Sequence, residues 1–186
     1  LSSMDNVRVI ACCDPDLKGA KKLAEEWNIP SSYESAEIML ERETPDAVHI
    51  MTPPQMNLSL ALLAINHGCH LLIEKPMALN VKDAETIIQA ADDRGVKLCV
   101  DHNHLYDSVM IEARRFVESG ALGQVIWVDS YYGFDLGHNR TNRYMLPGGE
   151  RNWNFQLLGG LFNNLLPHPL SVALDILGEP INSYGH

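Results

Sequence analysis

No run of apolar residues in this 186-residue chain approaches the roughly 20 needed to cross a bilayer, so a membrane-spanning reading is set aside. A basic tract is also missing. Lys and Arg number 14 against 24 Asp and Glu, a formal net charge of -10 that disfavours nucleic acid and anionic membrane surfaces as partners. Cysteine is sparse. Cys12, Cys13, Cys69 and Cys99 stand among apolar residues without metal-ligand spacing, and read as small buried side chains in a reducing compartment, with no metal. No secretory signal is visible at Leu1, and the expected location is the cytoplasm. There is no internal repeat and no low-complexity segment. What is present is a hydrophobic content of 46%, enough for one sizeable core or for one plus part of a second.

Four strand candidates alternate with helical patterns. Val7–Cys13 runs into Asp14, Ala47–Met51 into Thr52-Pro53-Pro54, His70–Ile73 into Glu74, and Lys97–Val100 into Asp101. The intervening segments Leu17–Trp27, Ala36–Arg42, Leu58–Asn66 and Val81–Arg94 carry helical patterning. The last is the best defined, with Asn80 as N-cap, Ala84, Ile87, Ile88 and Ala91 on one face, and Gly95 at C′. Repeated βα units with near-continuous apolar strands predict a parallel sheet with helices on both faces, its strand-end loops gathered on one rim. Beyond Asp101 the pattern changes. A helix is expected over Ser108–Ser119, then a β-type segment Gln124–Phe134 and a polar stretch 135–149 without a clear period. A helix-like segment Leu161–Leu177 and the start of a strand at Pro180–His186 follow.

Glu74-Lys75-Pro76 is the most informative tripeptide, because ligands of open α/β sheets sit outside the carboxyl ends of the strands. A lysine at such an end is aimed at the ligand crevice, and the proline after it stops the strand. Crevice-facing polar candidates also include His102, Asn103, Tyr106, Arg140, Asn142, Arg143 and Tyr144, since a hydroxylated substrate needs several donors and acceptors. Trp127, Tyr131 and Trp153 are expected in sheet and interface core.

These residues resemble the Gfo/Idh/MocA oxidoreductases. The resemblance runs along nearly the whole chain. It rests on Cys13-Asp14-Pro15, Thr52-Pro53-Pro54, Glu74-Lys75-Pro76, His102-Asn103, Gly120-Ala121-Leu122-Gly123, and Gly159-Gly160 ahead of His168, in that order. It implies an α/β fold, a Rossmann-type doubly wound parallel sheet over residues 1–105 followed over 106–186 by part of an α/β domain with an open mixed sheet. The Gly-rich turn that holds a cofactor pyrophosphate is expected before Val7, where Leu1–Asn6 has no glycine. The sequence is therefore expected to be an internal fragment of a longer, homo-oligomeric enzyme.

The resemblance also implies roles. NAD is expected rather than NADP, with Asp14 accepting the ribose hydroxyls and Thr52, Pro53, Pro54, Asn57, Glu74, Lys75 and Pro76 along the cofactor. Asn57 stands where the family often has His, and capping of the following helix is expected of it. Lys75 is the expected active-site lysine and His168 the expected general base, with His102, Asn103, Tyr106 and Arg143 toward a sugar, cyclitol or related polyol. The chain departs from the family at Asn164, where an Asp one turn before the histidine is usual, at Ser171, and at Leu105 after His104. A carboxylate at 164 would orient the imidazole and stabilise its cation, whereas an amide only orients it. Hydride transfer between NAD(P) and a secondary alcohol or ketone is the expected function. Asn164 supports the alternative of a cofactor-binding homologue without catalysis, and the missing turn that of an inactive fragment.

Overall fold

Local signals at helix ends explain most of the element boundaries in the computed structural model, which describes residues 3–133, 157 and 159–182. The chain divides into two compact units, Leu1–Ile73 with Asn80–Cys99, and Glu74–Leu79 with Val100–His186. In the first, Asp16 accepts from the Lys18 amide at 3.1 Å and starts α1, Leu17–Trp27. Ser35 does the same for α2, Ala36–Glu43, through the Ile38 amide. Asn80 accepts from the Asp83 amide at 2.9 Å and donates to its carboxylate at 2.8 Å, opening α4, Val81–Arg94. Gly95 ends α4 at φ 66, a left-handed geometry that costs a glycine no steric strain.

Strands β1, Ala11–Cys13, and β2, Ser31–Tyr33, pair in parallel, Ala11 opposite Ser31 and Cys13 opposite Tyr33. β3, Ala47–Ile50, β4, His70–Glu74, and β5, Leu98–Asp101, form a second sheet in that order, with β3 and β4 parallel and Ile50 opposite Ile73. The parallel βα arrangement expected from the alternating patterns is thus present. β2 was not legible: three residues, Ser-Ser-Tyr, carry too little periodicity, and only pairing with β1 defines it. β1 begins later than the apolar run suggests, since ladder pairing starts only where Ser31 supplies a partner. The core of this unit includes Ile50, Leu71 and Ile73 of the sheet, Ala61, Ala64 and Ile65 of α3 (Asn57–Asn66), and Ile87 and Ala91 of α4, which packs on α3.

The second unit contains a 3-10 turn Asn103–Tyr106, then α5, Ser108–Glu118, α6, Gly160–Leu165, and α7, Pro167–Leu177. The single helix expected over Leu161–Leu177 is two, separated at Leu166. Pro167 and Pro169 have no N–H to offer the carbonyls four residues back, and Pro167 is instead well suited to the first position of α7. Gly159, at φ 80, precedes α6; the left-handed backbone would strain any other residue, and a Cβ there would also push the Asn163 side chain, 2.7 Å away, aside.

The β-type segment expected at Gln124–Phe134 forms no strand over its described residues 124–133. Trp127 and Tyr131, expected in a sheet core, are 76% and 96% exposed. β-propensity describes how a side chain fits a paired, half-buried surface, and no described residue pairs with this segment. Residues 180–182 are likewise without strand pairing, while 134–156, 158 and 183–186, which include Arg140, Asn142, Arg143, Tyr144 and Trp153, lie outside the described residues. No helix among the described residues is long and apolar enough to cross a membrane.

Two substitutions separate core packing from capping. Ile87 is fully buried, so Ile87→Ala is expected to cost about 2–5 kcal/mol, whereas Asn80→Ala loses one cap and about 1 kcal/mol. Denaturant unfolding with α4-sensitive hydrogen exchange checks the ranking; equal costs would show that α4 is held by its cap rather than its apolar face.

Candidate active site

An ammonium group can only donate hydrogen bonds, so a half-buried lysine must find oxygen acceptors. Lys75, immediately after β4, finds two on one residue. Its Nζ donates to the Asn164 backbone carbonyl at 2.9 Å and to Asn164 Oδ1 at 3.1 Å. The carbonyl belongs to the last turn of α6, where carbonyls lack intrahelical partners, so the lysine caps that helix end. Asn164 is buried, and its amide supplies a partial rather than a full negative charge. Burial accordingly lowers the Lys75 pKa below its ordinary value, with the neighbouring Glu74 carboxylate opposing the shift. The Lys75–Pro76 peptide is cis.

His168 sits in the first turn of α7, four residues after Asn164, and is 8% exposed. Ser171 Oγ donates to the His168 carbonyl at 2.9 Å, satisfying its hydroxyl within α7. The imidazole is a weak base here. Burial first, then the charges of Lys75, His104 and His102, bring its pKa down from 6.5 to about 4. Its Nδ1 is buried without a hydrogen-bond partner among the described residues. His102 follows β5, and its pKa is also lowered, by burial foremost, with Asp101 opposing and Lys75 adding to the shift. Its Nδ1 is buried and unpartnered in the same sense. Glu74 is pushed the other way: burial, then the charge of Asp101 and a hydrogen bond with it, raise its pKa, while Lys75 pulls it down.

This unit therefore brings together Lys75, Asn164, His168 and His102 from the residues singled out in the sequence. Asn103 and Tyr106 are exposed, Tyr106 at 66%. Two residues of the cluster had been given no role. The His104 ring meets the His168 ring edge-on at 4.7 Å, and Tyr132 lies 4.8 Å from His168 and 5.5 Å from His104. His104, Tyr132 and His168, with Asp129, Ser130, Tyr131, Pro169 and Val172, line a cavity of about 310 Å³. The i, i+3 spacing of His104 and Asp107 is a signal that could have drawn attention to His104, whereas nothing local marks Tyr132. Arg114 of α5 anchors the scaffold, bonding Asp175 of α7 at 2.9 Å and the Leu105 carbonyl at 3.2 Å.

In the first unit, Asp14 follows β1 and is exposed; one carboxylate oxygen accepts from the Asp16 amide at 2.7 Å, a turn leading into α1. Thr52 follows β3 and donates to Asn57 Oδ1 at 3.1 Å, and Pro53 leads into a 3-10 turn starting at the buried Pro54. The capping role expected of Asn57 is corrected. Asn57 is the first residue of α3, 1% exposed, and Met56 occupies the cap without a side-chain bond. The 3-10 turn feeds directly into α3, and the amide is used instead to fix Thr52. The exposed carboxylate and the polar loop both lie at strand ends.

Residues 1–102 match the description of an oxidoreductase family with an NAD-binding Rossmann fold, and residues 110–186 match the GFO/IDH/MocA C-terminal domain. The chain belongs to the Gfo/Idh/MocA oxidoreductase family. It is 27% identical over 177 residues to D-glucoside 3-dehydrogenase of Escherichia coli, covering 95% of this chain and 48% of that protein. It is 27% identical to the NAD(+)-dependent scyllo-inositol 2-dehydrogenase of Bacillus subtilis, over all of this chain and 51% of the relative. Among solved structures, an NAD binding oxidoreductase from Klebsiella pneumoniae is similar with a TM-score of 0.72 at 26% identity, over 91% of this chain and 44% of that one. The chain thus spans about half the length of the relatives it matches. Family membership makes a nicotinamide nucleotide the cofactor class.

The depressed His168 pKa has a measurable consequence. Between pH 6.5 and about 4 the unfolded chain binds more protons at this site than the folded chain. Its contribution is intact above pH 6.5 and is lost as pH falls through about 4, up to roughly 3 kcal/mol. Denaturant unfolding at pH 7 and pH 4.5 is expected to show a smaller acid loss in His168→Gln than in wild type. Equal losses would place His168 in a solvated environment.

Proposed function

We propose that the full-length protein transfers a hydride between NAD and a secondary alcohol or ketone of a sugar, cyclitol or related polyol. The observation that carries this reading is the pair of hydrogen bonds from Lys75 to Asn164, which sets a strand-end ammonium beside the turn that carries His168. Relatives named for D-glucoside, D-apiose and scyllo-inositol support a polyhydroxylated small-molecule substrate. A bound nicotinamide dinucleotide would supply the hydride acceptor, and within the first unit Asp14 is the proposed ribose contact, with Thr52, Pro53, Pro54 and Asn57 the proposed loop beside the cofactor.

The chain's own residues do the remaining work. Lys75 donates to the reacting oxygen and stabilises negative charge as it develops there, a task suited to an ammonium with low desolvation left to lose. His168 is neutral at pH 7, so a ring nitrogen is able to accept the hydroxyl proton. Asn164 fixes Lys75 without neutralising it. His102, Asn103, Tyr106 and Arg143 are the assigned substrate-binding groups. A second reading, a cofactor-binding homologue without redox chemistry, is favoured by the amide at Asn164, which cannot stabilise an imidazolium as a carboxylate does.

Turnover of the full-length protein on a panel of polyols separates the two. Lys75→Ala and His168→Ala are each expected to lower kcat by about 100-fold or more. Wild type no more active than either variant would leave the non-catalytic reading. NAD preference has its own check, because a carboxylate on the ribose hydroxyls repels a 2′-phosphate. Asp14→Ser is expected to weaken NADH binding and narrow the discrimination against NADPH, followed by fluorescence titration. Unchanged discrimination would remove Asp14 from the ribose site.

A further inference from the structure

Oxidation of a carbinol releases a proton as well as a hydride, and His168 is poorly placed to dispose of that proton. It is 8% exposed, its neighbours Lys75, His102 and His104 disfavour a positive charge, and no carboxylate bonds it among the described residues. His104 differs in exposure and in having a carboxylate partner. Its ring touches that of His168 edge-on at 4.7 Å and lines the same cavity, yet its side chain is 33% exposed. Its Nδ1 lies 3.0 Å from Asp107 Oδ2, and Asp107 is 60% exposed. A carboxylate only accepts, so Nδ1 carries the hydrogen, and in the neutral ring Nε2 keeps the lone pair.

We propose that His104, oriented by Asp107, is the acid–base group that carries the reaction's proton between the cavity and solvent. The proposal rests on the oxidoreductase reading above. The carbinol C–H bond breaks with its electron pair going to the nicotinamide, the O–H bond breaks, and the carbonyl forms. The proton passes by way of His168 or a cavity water to His104 Nε2, and the imidazolium is balanced by the Asp107 carboxylate. One proton then leaves to water for each hydride transferred, and reduction runs the same steps backwards. Asp107 is a positioning residue, acting through His104. The other groups facing this ring are His168 on α7, Tyr132 and Asp129 on the cavity wall, and, beyond His168, Lys75 and His102. Arg114 reaches the adjacent Leu105 carbonyl but is paired with Asp175.

The test uses the full-length protein and two readouts. In the cofactor-free protein, long-range proton–nitrogen spectra are expected to show His104 with the hydrogen on Nδ1, a preference lost in Asp107→Asn. A hydrogen on Nε2 instead overturns the proposal whatever the activity. With NAD and a turned-over polyol, His104→Ala and the volume-preserving His104→Gln are expected to lose about 10-fold or more in kcat with little change in KM. Added imidazole is expected to restore much of the loss in His104→Ala, which a purely structural defect would not allow. Wild-type kcat in both His104 variants, or a loss that imidazole leaves untouched, overturns the proposal while leaving the oxidoreductase reading in place. A wild type inactive on every polyol sinks that reading, and the proposal with it.

Discussion

The second unit depends on what a half-buried lysine needs. Lys75 arrives at the end of β4 with three donors and no capacity to accept, and among the described residues its two oxygen partners both belong to Asn164. One is a backbone carbonyl that α6 cannot satisfy itself, so a single contact closes a helix end and fixes the ammonium. Hydrogen bonds to a charged group are worth about 1.5–3 kcal/mol, more than an exposed ion pair supplies. The break at Leu166 follows from Pro167 and Pro169, and it sets α7 off from the turn that Lys75 caps.

An amide at 164 alters the electrostatics without altering the tether. Asn164 holds Lys75 as geometry requires, but burial still lowers the lysine's pKa, with Glu74 as the opposing charge. Burial first, and then the same cation with His104 and His102, suppresses protonation of His168. The cluster therefore has several groups that resist positive charge and one histidine, His104, bonded to a carboxylate. Charge location in this unit is set by neighbours rather than by residue type.

Much of the first unit could be read directly. α1 and α4 run over the same residues as their sequence patterns, because caps at Asp16 and Asn80 and the glycine at 95 are local signals that need no distant partner. β3, β4 and β5 lie within a residue of their apolar runs for a similar reason: each run is bounded by turn or charged residues. β2 escaped because its three residues form a strand only through β1. Residues 124–133 erred in the opposite direction, having strand-like composition without a pairing partner among the described residues. Asn57 shows a smaller version of the same limit, since the preceding 3-10 turn displaced the cap to Met56.

By itself the sequence determined most of the βα order, the Asn80 cap and Gly95 stop of α4, and the strand-end placement of Asp14, Thr52 and Lys75. Each depends on residues within a turn or so of one another, where sterics and backbone hydrogen bonding decide. Tertiary structure alone decided that Lys75 would meet Asn164, 89 positions away, and that His104 and Tyr132 would pack against the His168 ring. It also decided which histidine is buried near Lys75 and which is paired with a carboxylate. Burial and Coulomb interaction fall off with distance in space, and separation along the chain carries no record of them.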